Sequence, residues 1–225
     1  MRERYHRISD LPGRIPIFPL RGAILLPRVT LPLNVFEPRY LAMIDDVLST
    51  PRLVGIVQPQ STEEGVESPA GKSAPLRRVG GLGRVTSFSE TDDGRYLVSL
   101  TGICRFHLIE EMRTSMPYRM FQVGYEAFGD DLVSGFGEGD VDRAHFLKVL
   151  KAYLEANDLK ADWQAINSAD NELLINTLSM ISPYGCEEKQ ALLEARNLKA
   201  RAEALVALAE MELAGQGGSS GSTLQ

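Results

Sequence analysis

A stretch that mixes proline with bulky apolar residues constrains this chain more than any other feature of its sequence. Five residues are proline in the run from Ile15 to Ile44, IPIFPLRGAILLPRVTLPLNVFEPRYLAMI. Proline donates no backbone hydrogen bond and disrupts helix interiors and central strands. The stretch therefore predicts short edge strands and turns that supply apolar side chains to a core, followed by a helix that begins at Pro38.

The residues after Pro38 predict a helix with one broad apolar face. Glu37 lies beside the helix start, where a carboxylate interacts favourably with the partial positive charge of the helix end. Arg39 is expected either to pair with a carboxylate or to pack along Tyr40. The apolar positions recur at helical spacing, opposite Asp45 and Asp46, and are Tyr40, Leu41, Ile44, Val47 and Leu48.

The rest of the first half has the patterns of strands. An apolar run bounded by prolines at 52–59 predicts a buried strand, and the polar stretch 60–78 predicts an exposed loop. An Asp-Gly pair at 93–94 lies between two alternating runs and predicts a tight hairpin turn made by residues with positive φ. Gly102 predicts a bulge that curls its strand around a small barrel, and one more strand is expected at about 118–128.

The last third has the periodicity of helices. Helices are predicted within 141–158, around 174–181 and over 187–213, with Ser182-Pro183 ending the second. The expected fold class is α+β, a β-rich pseudo-barrel lobe followed by a helical bundle lobe. The expected divisions are an extension (1–13), the β-rich lobe (14–128), a linker (129–140), the helical lobe (141–214) and a flexible tail (215–225).

Charge and composition restrict the function classes. Residues 1–128 carry 16 Lys and Arg against 14 Asp and Glu, whereas residues 129–225 carry 8 against 16. This balance is far from the basic surface of a typical nucleic-acid-binding domain. No uncharged apolar run reaches the 18 residues that a membrane-spanning helix needs, and the N-terminus is too polar for a secretory signal, so a cytoplasmic protein is expected.

The sequence contains no pattern of residues that predicts catalysis or metal binding. Gly65–Ser73 resembles a phosphate-binding P-loop but has one residue too many, and Gly80-Gly81-Leu82-Gly83 leads into a strand, which favours a turn or bulge. The three histidines are isolated, and the two cysteines are far apart. We therefore predict no enzyme activity, no cofactor and no metal.

Three segments resemble the N-terminal domain of the Lon protease family. They are PIFPLRGAILLPRVTLPLNVFEPRYLAMIDDVL, GLGRVTSFSETDDGRYLVSLTGICRF and EKQALLEARNLKARAEALVAL, and together they cover about residues 14–214. The ATPase and Ser-Lys protease modules of a full Lon protease have no counterpart in this sequence. The resemblance implies a stand-alone substrate-binding-type domain, with a β-rich lobe like that of PUA domains, a helical lobe and no peptidase activity.

The resemblance and the apolar front end together predict a module that binds protein. Its expected partners are unfolded or partly unfolded client proteins and an ATP-dependent protease for which it would act as an adaptor. The candidate peptide-binding residues are Pro27, Leu31, Pro32, Phe36 and Tyr40. The alternative is an RNA-binding module, prompted by the PUA-like lobe and by its arginines, Arg77, Arg78, Arg84, Arg95 and Arg105.

Overall fold

The computed structural model describes residues 5–60 and 74–218 of the chain. Within those ranges it has six strands, namely β1 (Arg14–Pro19), β2 (Thr30–Val35), β3 (Leu53–Val57), β4 (Val79–Glu90), β5 (Tyr96–Met112) and β6 (Arg119–Gly124). The helices in the same ranges are α1 (Pro38–Leu48), α2 (Arg143–Ala156), α3 (Trp163–Ser168), α4 (Asn171–Ile181), α5 (Cys186–Glu194) and α6 (Leu198–Gly218). The predicted α+β fold class is confirmed.

Five of the strands close into a ring. They follow the order β5-β4-β3-β1-β6, and β6 pairs back onto the second half of β5. Strands β1 and β3 are parallel, while the other pairs in the ring are antiparallel. Strand β2 lies outside the ring, because it pairs with the first half of β5. The length of β5 therefore lets one strand serve both the barrel and a sheet that extends from it.

A bulge curls β5 where the sequence predicts one. Leu82 pairs with Cys104, whereas the next residue, Gly83, pairs with Gly102, so β5 carries one additional residue at this point. An additional residue in one strand increases the local bend and twist. The bulge predicted at Gly102 is confirmed, and it lies opposite the glycine-rich run of β4.

Two glycines allow the backbone of the loop after β1 to pack directly against β4 and β5. A Cβ atom at Gly81 would collide with the carbonyl oxygen of Leu25, and one at Gly102 would collide with that of Leu26. The Gly102 amide also donates a 2.9 Å hydrogen bond to the carbonyl of Val29. The sequence favoured a turn or bulge at these glycines of β4; the structure places them within the strand, with a bulge opposite Gly83 and close backbone packing at Gly81.

The hairpin between β4 and β5 forms at the predicted place with a different turn. Only Gly94 has a positive φ, at 75°, although both residues of the Asp-Gly pair were expected to adopt one. Its amide donates to Thr91 O, and the amide of Thr91 donates to Arg95 O, each at 2.9 Å. This pattern is a type I turn followed by a left-handed glycine, which is the common geometry of three-residue hairpin loops.

Helix α1 begins at Pro38 as predicted and buries a face slightly different from the predicted one. Met43 and Ile44 are completely buried, whereas Leu41 and Leu48 are half-buried at the edges of the face. Both expected contacts of Arg39 occur together. Its guanidinium pairs with Glu37 at 2.7 Å and also lies 4.5 Å from the centre of the Tyr40 ring.

The two predicted features that differ most from the structure lie after β5. The strand expected at 118–128 ends at Gly124, and a short 3-10 helix, Glu126–Leu132, follows it. The single helical stretch expected over 187–213 is divided into α5 and α6, because Ala195 adopts an extended conformation and the side chain of Asn197 accepts a hydrogen bond from Ala200 N. Asn is a favoured residue at helix starts.

One hydrophobic core extends through both lobes. It joins barrel residues such as Phe106 to helical residues such as Leu192, and both are fully buried. Helix α6 continues to Gly218, so its last four residues belong to the stretch predicted as a flexible tail. The residues 219–225 of that tail and 61–73 of the predicted loop, which include the P-loop-like Gly65–Ser73, lie outside the described residues.

Candidate functional site

An exposed apolar strip lies on one face of the β2–β5 pair, and we call it the outer strip. Its members are Pro32, Phe36 and Leu97. Pro32 pairs with Ser99 and Asn34 pairs with Leu97, so Pro32 and Leu97 share one face of the sheet, and Phe36 follows directly after the end of β2 at Val35. The side chain of Phe36 is 61% exposed and that of Leu97 is 48% exposed. Such large apolar side chains, grouped on one surface, mark a candidate binding surface.

The β4–β5 hairpin also exposes an aromatic ring, on the face opposite the outer strip. Phe88 of β4 is 39% exposed, and its ring meets the ring of Tyr96 edge-on at a centroid distance of 4.9 Å. The hydroxyl of Tyr96 donates a 3.0 Å hydrogen bond to Asp45 Oδ1 on α1. The hairpin therefore presents apolar side chains on both faces, while α1 holds its inner face in place.

Strand β2 is an edge strand of the sheet. It lies at the end of the strand order and pairs with β5 on one side. Proline at position 32 removes a backbone donor from this strand, which disfavours the addition of another strand along its whole length. A peptide that binds here must therefore depend mainly on the side chains of the outer strip.

The structure separates the five predicted peptide-binding residues. Pro32 and Phe36 are exposed on the outer strip, whereas Leu31 is half-buried on the other face. Pro27 is buried, and its carbonyl accepts a 3.2 Å hydrogen bond from the side-chain amide of Asn176. Tyr40 is buried against Phe18 at a ring distance of 4.1 Å. Peptide binding by these five residues stays a prediction, and Pro32 and Phe36 are the two that a peptide could reach most easily.

Sequence reasoning missed two exposed residues of this part of the sheet, Leu97 on the outer strip and Phe88 on the opposite face. Both lie in runs whose alternation is typical of a half-buried strand, and alternation assigns a side chain to a face without showing whether that face is covered. The available signal was their position beside the hairpin turn, where the strands extend past the barrel. Near the turn between β4 and β5, the edge strand β2 leaves both faces of the sheet partly exposed.

A second apolar concavity lies in the helical lobe, between α2, α4 and α6. It has a volume of about 180 Å³. Its wall includes Leu150, Tyr153, Leu159, Leu178, Ile181 and Tyr184. Burial, followed by the nearby Tyr153 and Glu212, raises the pKa of Tyr184 to about 12. The five predicted candidates are absent from this wall, which is built entirely from the last third of the chain.

A polar cluster joins the two lobes. Arg105 of β5 forms a buried ion pair with Asp131, with Nη2 2.8 Å from Oδ1 and Nε 2.9 Å from Oδ2. Its Nη1 donates to the carbonyls of Leu193 at 3.0 Å and Ala195 at 2.6 Å, at the end of α5. The segment expected to be a linker thus supplies the buried carboxylate that holds this arginine.

The arginines that prompted the RNA-binding alternative are mostly engaged within the protein. Arg105 is buried with Asp131, Arg77 pairs with Glu187 of α5, and Arg95 pairs with Asp93 at 2.9 Å. Nε of Arg84 donates a 3.3 Å hydrogen bond to the carbonyl of Pro51. Such partners compete with phosphate for the guanidinium groups, so the structure does not favour the alternative.

The described residues contain no group of three or more histidine, cysteine or acidic side chains arranged to hold a metal ion. Cys104 is buried, and burial, followed by the charge of Asp131, raises the pKa of its thiol. A raised thiol pKa disfavours the reactive thiolate. In the same part of the chain, every helix is too short or too polar to span a bilayer.

Comparison with known sequences identifies relatives along nearly the whole chain. It is 27% identical over 209 residues to Lon protease from Anaeromyxobacter dehalogenans, covering 89% of this chain and 23% of that protein. It is 26% identical over 209 residues to Lon protease 2 from Myxococcus xanthus, covering 89% and 24% respectively. The chain thus spans about a quarter of the length of these relatives.

Two solved structures share the fold. A Lon N-terminal domain protein from Xanthomonas campestris aligns with a TM-score of 0.60 and 23% identity, covering 86% of this chain and 97% of that one. The N-terminal domain of a Mycobacterium avium complex Lon protease aligns with a TM-score of 0.62 and 16% identity, covering 88% and 98%. Residues 14–210 match the family described as the ATP-dependent protease La (LON) substrate-binding domain. The chain belongs to this family.

Proposed function

We propose that this protein binds exposed apolar stretches of unfolded polypeptides through its outer strip, without catalysing a reaction itself. The observation that carries the proposal is the exposure of Phe36 and Leu97 side by side on a sheet that extends from the barrel. Family membership supports it, because the matched domain is described as substrate-binding. In this proposal the protein acts as an adaptor that presents its clients to an ATP-dependent protease.

The expected mode of binding is weak and tolerant of sequence. Strands β2 and β5 pair from Thr30 to Val35, so the backbone that carries Pro32 and Leu97 is already ordered and binding requires little further ordering there. The guanidinium of Arg95 lies 5.9 Å from the centre of the Phe36 ring, which leaves much of that ring open. An unfolded client, in contrast, loses conformational freedom when it binds, which limits the affinity.

The proposal is tested by replacing apolar side chains of the outer strip with small polar ones. The double variant Phe36→Ser, Leu97→Ser is expected to weaken binding to a reduced, carboxymethylated protein by roughly tenfold or more, because each lost apolar contact contributes about 1 kcal/mol. Fluorescence anisotropy of the labelled, permanently unfolded protein measures the affinity. The same protein with its disulfides intact is expected to bind poorly to the wild type.

Matched controls separate this surface from general hydrophobicity. Met211→Ser and Ile109→Ser remove apolar side chains that are 72% and 60% exposed elsewhere in the fold. We expect both to leave the affinity unchanged. An outer-strip variant that folds normally and binds as tightly as the wild type would exclude the outer strip as the binding surface.

A further inference from the structure

We propose that a small cavity between the two lobes binds a monovalent anion of carboxylate size, with the guanidinium of Arg201 as its buried donor. The cavity lies where the start of α6 meets α4 and the middle of β5. Its volume is about 30 Å³. Its wall includes Pro27, Arg105, Phe136, Asn176, Arg196 and Arg201.

The first observation is a buried donor without a partner. Arg201 is only 3% exposed. Its Nε donates to Leu192 O at 2.9 Å and its Nη1 donates to Asn176 Oδ1 at 2.8 Å. Its Nη2 has no hydrogen-bond partner among the described residues. A buried charged donor is normally satisfied, because leaving it unpaired costs a large desolvation free energy.

The second observation is the charge around this donor. Three carboxylates line the cavity, and two of them already have partners, since Asp131 holds Arg105 and Glu172 holds Arg28. Among the described residues no carboxylate is hydrogen-bonded to Arg201, and burial, followed by the charge of Arg105, lowers its pKa, although Asp131 and Glu172 partly offset this. Arg196 adds a further cationic side chain to the wall. An anion beside Nη2 would supply the missing countercharge.

The third observation is the position of α6. Its first residue, Leu198, belongs to the cavity wall, so the partial positive charge of a 21-residue helix is directed at the cavity. Asp130, Asp131 and Glu172 also line it and would repel a dianion such as phosphate. A volume of about 30 Å³ further restricts the part of the ligand that enters to the size of a carboxylate or halide.

The carboxylate that the cavity would bind can belong to a free anion or to the C-terminus of a polypeptide. Pro27 and the 49% exposed ring of Phe136 form an apolar part of the wall, which suits the last side chain of a peptide with a free carboxylate. The test therefore compares sodium acetate with a tripeptide that ends in a free carboxylate and with its C-terminal amide. If acetate stabilises the protein and neither tripeptide does, the ligand is a free anion. If the tripeptide with the free carboxylate stabilises it and the tripeptide amide does not, the ligand is the C-terminus of a peptide.

The experiment measures thermal unfolding of the full chain. At constant ionic strength, the unfolding midpoint of the wild type is expected to rise by about 3–6 °C for each tenfold increase in acetate above its dissociation constant. Arg201→Met is expected to abolish this rise. Arg95→Met, which removes an arginine from the exposed hairpin turn, is expected to retain it.

A second measurement applies if Arg201→Met does not fold. The wild type is then expected to broaden the NMR signal of ¹³C-acetate in a saturable way, and Arg196→Gln, at an exposed position of the wall, to weaken that effect severalfold. The proposal fails if acetate broadening is not saturable or is unchanged in Arg196→Gln. It also fails if the acetate dependence of the midpoint is the same in Arg201→Met as in the wild type. Binding of unfolded polypeptides is a separate readout, so the two proposals can fail independently.

Discussion

Single residues of α1 show how far a sequence pattern predicts burial. Helical spacing assigns Leu41 and Ile44 to the same apolar face, yet Ile44 is fully buried and Leu41 is half-buried at its edge. Met43, which the pattern omitted, is fully buried as well. Periodicity finds the centre of a buried face, whereas the width of the face depends on what the barrel places against it.

This difference predicts unequal costs for two similar substitutions. Ile44→Ala is expected to lower the free energy of unfolding by about 2–5 kcal/mol, because it leaves a cavity in a closely packed core. Leu41→Ala is expected to cost clearly less, since part of its side chain already contacts solvent. Urea unfolding of both variants measures the difference. Equal losses would contradict the placement of α1.

Tyrosine titration predicts how stability depends on alkaline pH. Burial, followed by the hydrogen bond to Asp46, raises the pKa of Tyr118 to about 12, and burial does the same for Tyr184. The pKa of an unfolded tyrosine is about 10, so the folded state binds more protons between these values, and stability falls as pH rises through that interval. Tyr184→Phe is expected to make the decline shallower. Urea midpoints measured from about pH 9 to pH 12 would show it, and an unchanged slope would contradict it.

At the scale of elements, the strands were more predictable than the surfaces they leave exposed. The bulge at Gly102 and the start of α1 at Pro38 follow from local backbone chemistry, and both were predicted correctly. The division between α5 and α6 was not, because the carbonyls of Leu193 and Ala195 are held there by Arg105, a residue distant in sequence. The exposure of Leu97 likewise depends on β2 pairing at the sheet edge.

The close approach of the Leu25–Leu26 backbone to β4 and β5 predicts a glycine that tolerates no side chain. Gly81→Ala is expected to destabilise the protein by about 1–3 kcal/mol or more, because the new Cβ meets backbone atoms that cannot rotate away. Gly13→Ala is the matched control, since no atom lies within 4 Å of its added Cβ. Thermal unfolding of both variants tests this expectation. A Gly81→Ala protein as stable as Gly13→Ala would disprove the close approach.

At the scale of the whole molecule, the two lobes are expected to unfold together. They share one core, and the buried pair Arg105–Asp131 links the barrel to the end of α5. Asp131→Asn is expected to cost about 3–5 kcal/mol, because it leaves a buried guanidinium without its countercharge. Glu203→Gln, in the exposed pair with Lys199, is expected to change stability little.

Two probes measured on the same sample check this coupling. Fluorescence of Trp163 reports on the helical lobe, and circular dichroism reports on the whole chain. We expect their urea transitions to coincide in the wild type and to shift together in Asp131→Asn. Separate transitions would show that the lobes are independent domains.

The closure of the barrel by β6 has a consequence for the order of synthesis. Arg14 of β1 pairs with Gln122 of β6, so one edge of the first strand stays unpaired until most of the β-lobe has been made, although β3 can pair with the other edge earlier. During translation, the nascent chain therefore exposes unpaired backbone on both β1 and the second half of β5. Such edges favour aggregation, and long-range pairing is slow. A protein that would bind unfolded clients thus itself passes through a ribosome-bound stage in which it resembles one.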